Sequence, residues 1–441
     1  MRVTETKAER AAATVASAAR AAISVGRSAQ SRIYREGVFG RRPVVPVEPA
    51  ALEAAAQRRM TPEAWAYVAG GAGQQRTVRA NLEAFDRHRI VPRMLVDVEE
   101  RDLSVELFGR RLPAPLLFAP IGVLEMAHPA AERAVAEAAR KLGLPMVIST
   151  QGSLPMEETA RELGHSPRWY QLYWSSDDSV VDSFVSRAEA IGSEAIVVTL
   201  DTHVLGWRTH DLDLAYLPFA RAEGIAQYTS DPAFRRLAEA RAAAPSDEPT
   251  PRPTASAVRA LFSMARHYPG GLLENLRSPV PRAAVETFLD VFSRSSLTWD
   301  DLARLRERTS LPIVLKGLQD PRDATLALDH GADGIVVSNH GGRQVDGAIG
   351  SLDALPGIVE EVDGRVPVLF DSGIRSGADV FKALALGADA CLVGRPWVYG
   401  LALGGADGAR AVMEHLWAEL DLTMALAGAS TVDQITRDLM T

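Results

Sequence analysis

Eight short apolar runs rich in β-branched residues recur beyond Arg93, seven of them trailed by a helical pattern, and polar residues collect at the runs' C-terminal ends. Together these observations predict an α/β chain folded as a (β/α)8 TIM barrel rather than an open sheet. The runs fall at 116–120, 145–149, 169–173, 195–201, 312–316, 334–338, 366–371 and 390–394, and the clearest helical patterns at 130–142, 178–191, 320–330 and 377–386.

Taken in order, residues 1 to about 28 are rich in Ala, Arg and Ser, with helical tendency but no clear apolar face, and read as a frayed helix or a disordered arm. Glu5 and Glu9 argue against an organelle transit peptide, and no secretory cleavage pattern is visible. The arm extends to about residue 43, and prolines and valines at 44–49 mark a connector. Helices are expected at 51–60 and 62–69, the second ending in Gly70-Gly71-Ala72-Gly73, a turn that leaves the Tyr67 phenol near the break. The barrel domain occupies 44–441, and between its fourth and fifth strands the connection from 207 to about 297 is far longer than barrel loops usually are. It should carry helices, at 232–243, 256–266 and 282–292, with a mobile hinge at 245–253. Its place on the C-terminal rim suits a lid.

Composition narrows the function. A net charge of −8 gives no sign of a nucleic-acid partner, and no apolar run approaches the roughly 18 residues of a membrane span, which leaves small-molecule chemistry. The single cysteine, Cys391, sits inside an apolar run and reads as core; it excludes an intrachain disulfide and fits a reducing, cytoplasmic setting. Only four of the 48 basic residues are lysines, so Lys316 at a strand end stands out.

The polar strand-end residues form a set: Ser149, Gln171, Tyr173, Thr199, Lys316, His340, Arg343, Asp371 and Arg395. Each alone reads equally well as a capping hydroxyl, a satisfied barrel residue or a snorkelling lysine. As a ring on one rim they are hard to account for that way, because barrel interiors favour Val, Ile and Leu. In 333–347 a buried strand breaks into a glycine turn carrying His340 and Arg343, an imidazole beside a planar cation. That pairing suits removal of a proton from a substrate anchored by its carboxylate. After the seventh and eighth strands, Gly373, Arg375, Gly394 and Arg395 lie where a barrel often clamps phosphate.

The motifs Ser338-Asn339-His340-Gly341-Gly342-Arg343-Gln344, Leu315-Lys316-Gly317, Gln171-Leu172-Tyr173, Thr199-Leu200-Asp201-Thr202 and the 381–388 segment resemble the FMN-dependent α-hydroxy-acid oxidase/dehydrogenase family, from about Ile33 to the end. The stretches at 67–73, 118–123, 206–208 and 371–375 are most similar to its lactate 2-monooxygenase branch. Gln151-Gly152-Ser153-Leu154 departs from the pattern where an aromatic or a Ser pair often stands near the substrate, and 125–129 is closer to the glycolate-oxidase pattern.

The resemblance implies FMN as cofactor, no metal, and a homo-oligomer of four or eight chains. It implies that Ala119, Ser149, Gln171 and Thr199 contact the isoalloxazine and that Arg375, Gly394 and Arg395 hold the phosphate, with Ser338, Asp371 and Gly373 also at the cofactor. Lys316 would sit beside flavin N1 and O2, Arg208 and Arg343 would grip the substrate carboxylate with help from Tyr67 and Tyr173, His340 would take a proton, and Asp371 would pair with His340. The implied reaction is oxidation of a lactate-like (S)-2-hydroxy acid, with O2 reoxidising the flavin and the keto acid decarboxylated; a simple oxidase or a dehydrogenase using another acceptor is the alternative. An inert flavin-binding module, or a lyase or isomerase using Lys316 as a Schiff base, are the readings outside that class.

Overall fold

In the computed structural model, which describes residues 24–244 and 254–441, the eight runs pair in parallel into one closed barrel. Two three-residue strands precede it, β1 (Val105–Leu107) and β2 (Arg110–Leu112), paired antiparallel. The staves are β3 (Leu116–Phe118), β4 (Met146–Ile148), β5 (Arg168–Leu172), β6 (Ile196–Thr199), β7 (Ile313–Leu318), β8 (Gly334–Val337), β9 (Val368–Phe370) and β10 (Ala390–Val393), with β10 closing on β3.

Strands covered on both faces read as unbroken apolar runs, because side chains alternate between barrel interior and helix layer and both are dry. Leu117, Val147, Trp169, Val197, Val314, Val336, Leu369 and Leu392 fill the interior, where Leu107 and Leu112 of the hairpin join them. Phe108 at the hairpin tip meets the Trp169 ring edge-on at 5.4 Å. The alternate residues, among them Phe118, Ile148, Tyr170, Ile335 and Phe370, pack outward against the helices. Cys391 is one of these buried residues, and burial pushes its thiol well above the usual range.

The helices between staves start at caps written in the sequence. Asp177, Asp320 and Ser376 each accept backbone N–H groups of a first turn, and Ser376 forms a reciprocal capping box with Asp379. Of the arm expected to be flexible or helical up to about residue 43, Val25–Val38 is a helix laid against the last helix, Arg395–Ala427. Gly26 donates its N–H to Asp421 at 2.8 Å, and a Cβ there would stand 2.6 Å from the Ala418 carbonyl, so only glycine permits this approach. The remainder of the expected arm, residues 1–23, lies outside the described residues, as does the hinge expected at 245–253.

The long insertion carries helices at Thr209–Asp213, Pro232–Ala243, Ala255–His267, Leu272–Arg277 and Val280–Val291, among shorter turns. Its core is aromatic: Phe219, Tyr228, Phe234 and Phe288 are buried, with Tyr228 edge-on to Phe288 at 4.8 Å. It is fastened to the loop after β3 by Glu125, which accepts from Gly224 N at 3.0 Å and pairs with His267 Nε2 at 2.8 Å. No helix among the described residues is long and apolar enough to cross a membrane.

Candidate active site

The parallel staves all end on one rim, which gathers residues from distant parts of the chain around a cavity of about 1110 Å³ including its mouth. Tyr67, Ala119, Tyr173, Thr199, Arg208, Lys316, His340, Arg343, Asp371, Gly373, Arg375, Gly394 and Arg395 all line it. Ser149, Gln171 and Ser338 stand behind that lining: Ser149 Oγ donates to Gln171 Oε1 at 3.2 Å, and Ser338 Oγ accepts from Lys316 Nζ at 2.8 Å. The insertion contributes Phe219 and Phe292 to the wall.

His340 begins the turn after β8 with φ of +57°, a left-handed conformation that costs a non-glycine residue of order 1 kcal/mol or more. Its neighbours hold it there. Ser338 Oγ accepts the His340 N–H at 3.1 Å, and Asn339 accepts Gly342 N at 3.1 Å while its amide bonds Asn81 at 2.6 Å. The ring is fixed at both nitrogens, with Nδ1 2.9 Å from Asp201 Oδ1 and Nε2 3.4 Å from the Tyr173 hydroxyl. Donation from Nδ1 to the carboxylate leaves the Nε2 lone pair facing the cavity.

The expected Asp371–His340 pair is therefore corrected. Asp371 Oδ2 lies 2.9 Å from Lys316 Nζ, and Asp201, at the end of β6, partners the imidazole. Burial lowers the His340 pKa, and the Asp201 charge and hydrogen bond oppose it without cancelling it, so the ring is neutral at neutral pH. Burial pushes Asp201 up, but His340 and Lys316 outweigh it and hold the carboxyl below its usual range. Lys316 loses charge to burial and regains more from Asp371 and Asp201, so it remains an ammonium. A Schiff-base lysine would have to be neutral, which sets that alternative aside.

Two guanidinium groups face the space above His340. Arg343 Nη1 donates to the Tyr67 and Gly70 carbonyls, with its Cζ 5.0 Å from the Tyr67 ring centroid. Arg208 Nη2 donates to Gln344 Oε1 at 3.0 Å, and burial, with Arg343 nearby, pushes its pKa down to about 10. Two cations held close in a dry site favour an anion between them. Burial raises the pKa of Tyr67 and Tyr173, so both phenols stay protonated donors.

The far end of the cavity suits a phosphorylated, planar cofactor. The helix Arg395–Ala427 opens at Gly394 with no side-chain cap, and Gly394, Arg395 and Arg375 line the cavity at this helix start. Arg395 donates to the carbonyls of Val68, Gly341 and Gly70 at 2.8 to 3.0 Å, and burial pushes its pKa down to about 10. Gln171 Nε2 and Thr199 Oγ1 are buried without a hydrogen-bond partner among the described residues, unmet polar groups that ring nitrogens and carbonyls would satisfy. The residues fit FMN.

Asp201, Gln344 and the insertion's Phe219 and Phe292 stand at the site without being singled out by sequence reasoning. Asp201 stands within Thr199-Leu200-Asp201-Thr202, and Gln344 beside Arg343, but neither spacing announces its partner.

Fold and site together present a barrel whose rim cavity fits a phosphorylated, planar cofactor beside a buried imidazole and two guanidinium groups. Comparison with known proteins makes the class specific: residues 56–441 match the FMN-dependent dehydrogenase family, to which this chain belongs. It is 42% identical over 416 residues to the FMN-dependent alpha-hydroxy acid dehydrogenase qulF of Penicillium citrinum, covering 94% of this chain and 95% of that one. It is 40% identical over 382 residues to the L-lactate oxidase of Lysinibacillus sphaericus (strain C3-41), covering 87% and 89%. Among solved structures, that of mandelate oxidase with (S)-4-hydroxymandelic acid superposes with a TM-score of 0.73 at 36% identity, covering 90% of this chain and 98% of that one. The chain is an FMN-dependent oxidoreductase of 2-hydroxy acids.

Proposed function

We propose that this enzyme oxidises a small, lactate-like (S)-2-hydroxy acid to the 2-keto acid, passes the electrons to O2, and retains the keto acid long enough for oxidative decarboxylation, as in the lactate 2-monooxygenase branch. The observation that carries the reading is His340, held by Asp201 at Nδ1 with Nε2 beside the Tyr173 hydroxyl on the cavity side, and the two arginines, Arg208 and Arg343, that line the same cavity.

Arg208 and Arg343 take the substrate carboxylate, and the Tyr67 and Tyr173 hydroxyls donate to the carboxylate or the substrate hydroxyl. That places the substrate's C2 end at His340 Nε2, which accepts one of the two protons lost on oxidation, either the α-proton or the hydroxyl proton. Asp201 stabilises the imidazolium that results. FMN, when bound, accepts the two electrons and returns them to oxygen. Ala119, Ser149, Gln171 and Thr199 would hold its ring system, and Gly373, Arg375, Gly394 and Arg395 its phosphate. Lys316, held as an ammonium by Asp371 and oriented by Ser338, would face N1 and O2, where negative charge collects on reduction.

Retention of the product is supported by the insertion, which brings Phe219 and Phe292 to the cavity wall together with Arg208. The test is product analysis of aerobic turnover on lactate without added catalase. The decarboxylated acid with little free peroxide is the expected result. Stoichiometric peroxide with intact keto acid would make the enzyme a simple oxidase, which the name of the Lysinibacillus relative favours as second reading. Negligible oxygen uptake with fast dye reduction would make it a dehydrogenase. The reading includes a cytoplasmic homo-oligomer of four or eight chains, checked by light scattering and cell fractionation.

A further inference from the structure

A helix that precedes the barrel, Arg76–Arg87, is stitched along its length to the chain that follows β8. Its start has no side-chain cap of its own, and Asp346 accepts the N–H groups of Gln74 and Arg76 there at 2.8 and 2.7 Å. In the first turn, Thr77 Oγ1 donates to the Val345 carbonyl at 2.7 Å and accepts the Ala348 N–H at 2.9 Å. One turn further along the same face, Asn81 pairs with Asn339, the residue before His340.

That pair is reciprocal. Asn81 Nδ2 donates to Asn339 Oδ1 at 2.8 Å, and Asn339 Nδ2 donates to Asn81 Oδ1 at 2.6 Å. Backbone groups fix which way round both amides lie: Asn339 Oδ1 also accepts the Gly342 N–H at 3.1 Å, Asn339 Nδ2 donates to the Ile349 carbonyl at 3.1 Å, and Asn81 Oδ1 accepts the Ser351 N–H at 2.9 Å. Both side chains are buried, and turning either amide over would set oxygen against oxygen. The turn they hold is strained. His340 at φ +57° and Gly342 at φ +76° are both left-handed, and a Cβ on Gly342 would stand 2.6 Å from Val78 N, so only glycine lets the helix come this close. Among the described residues that line the cavity, neither Asn81 nor Asn339 is found.

We infer that Asn81 is a positioning residue for proton transfer: its amide pair with Asn339 holds the left-handed turn on which His340 stands, and so sets the distance and angle at which Nε2 meets the substrate. The inference rests on the reading of His340 as the base. A non-glycine residue keeps a left-handed conformation only where surrounding contacts over-determine it, and here the decisive contacts come from a helix outside the barrel. When the pair is lost, the turn can relax and the imidazole shifts, which lengthens the proton's path. The carboxylate grip is spared, because Arg343 is held separately by the Tyr67 and Gly70 carbonyls. The damage therefore falls on the rate of the chemical step rather than on binding.

Anaerobic stopped-flow flavin reduction tests this in two variants. Asn81→Leu removes the amide at similar volume; Asn81→Asp keeps the acceptor for Ser351 and removes the donor to Asn339. At saturating hydroxy acid, reduction should slow by about 10- to 10²-fold in the leucine variant and by less in the aspartate one. Affinity for the keto acid, which cannot reduce the flavin and is read from perturbation of its spectrum, should stay within about threefold of wild type. Flavin content and absorbance show that each variant is folded and loaded, and the aspartate variant carries the test if the leucine one is not. In a His340→Gln background the same substitution should slow the residual reduction by no more than about threefold, because the base it positions is gone. The full loss repeated in that background, a matching loss of keto-acid affinity, or near-wild-type reduction in both single variants overturns the inference while leaving the 2-hydroxy-acid reading intact. Near-normal reduction in His340→Gln alone overturns the reading of His340 as the base, and the inference with it.

Discussion

Replacing Asp201 by Asn isolates the contact on which the proposed proton transfer depends, because it keeps the side chain's shape and removes its charge. The carboxylate lies 2.9 Å from His340 Nδ1, with only 12% of its side chain exposed. In the ground state the imidazole is neutral and the loss is that of one hydrogen bond; once Nε2 has taken a proton, an ion pair is lost. A hydrogen bond to a charged group is worth about 1.5–3 kcal/mol, and unit charges ~4 Å apart at an effective dielectric of 20 interact by about 4 kcal/mol as an upper bound. At 1.4 kcal/mol per tenfold, the plateau rate of flavin reduction should fall by roughly 10- to 10³-fold. The pH profile adds a second readout. Burial lowers the His340 pKa and Asp201 opposes it, so removing the charge lets burial act with less opposition and the pKa falls further. The base must be unprotonated to work, so the acid limb of kcat/KM should move to lower pH even as the plateau drops. Anaerobic stopped-flow reduction at a series of pH values measures both, with Asp371→Asn as comparison, since that carboxylate faces Lys316. A plateau within about threefold of wild type and an unmoved acid limb would refute the assignment of Asp201 as the partner that stabilises the imidazolium.

Three further substitutions probe the other roles. His340→Gln should retain flavin but slow its reduction by at least ~10²-fold, the lower end of a general base's contribution, and near-normal reduction would remove His340 from the mechanism. Arg343→Met should weaken hydroxy-acid binding by about 10- to 150-fold, the worth of one charge-assisted hydrogen bond; unchanged affinity and rate would show that it anchors no carboxylate. Lys316→Met should make the bound flavin harder to reduce, because Asp371 and Asp201 remain while the opposing charge is gone, and an unaltered redox potential in a spectroelectrochemical titration would contradict its placement.

The barrel is legible because its staves are buried on both faces, and a β-branched run such as Ile335-Val336-Val337 suits a strand with two dry sides better than a helix or a loop. The position of His340 and Arg343 follows from the glycine turn after that run. Partnerships do not follow. Asp371 ends the strand next to the one that presents His340 and Asp201 ends a strand two places away, yet Lys316 takes the nearer carboxylate and leaves the imidazole to the farther one. Linear order records which strand a charge sits on, not how far its side chain reaches. The hairpin is hard to see because β2 is three residues long and two of them are arginines, so only Leu112 marks its buried face. The start of the Val25–Val38 helix is hidden for a related reason: it buries Gly26 and Ala29, small residues that leave little apolar signal.

The hairpin beneath the barrel has a consequence for the order of events above it. With Leu107 and Leu112 stoppering the interior and Phe108 wedged against Trp169, the barrel is a blind vessel. The site on the C-terminal rim is thereby closed from below, and among the described residues Leu205, Phe219 and Phe292 belong to its lining. In the proposed reaction the keto acid leaves past that lining, and how long it is detained there decides whether oxygen meets it before the next hydroxy acid does.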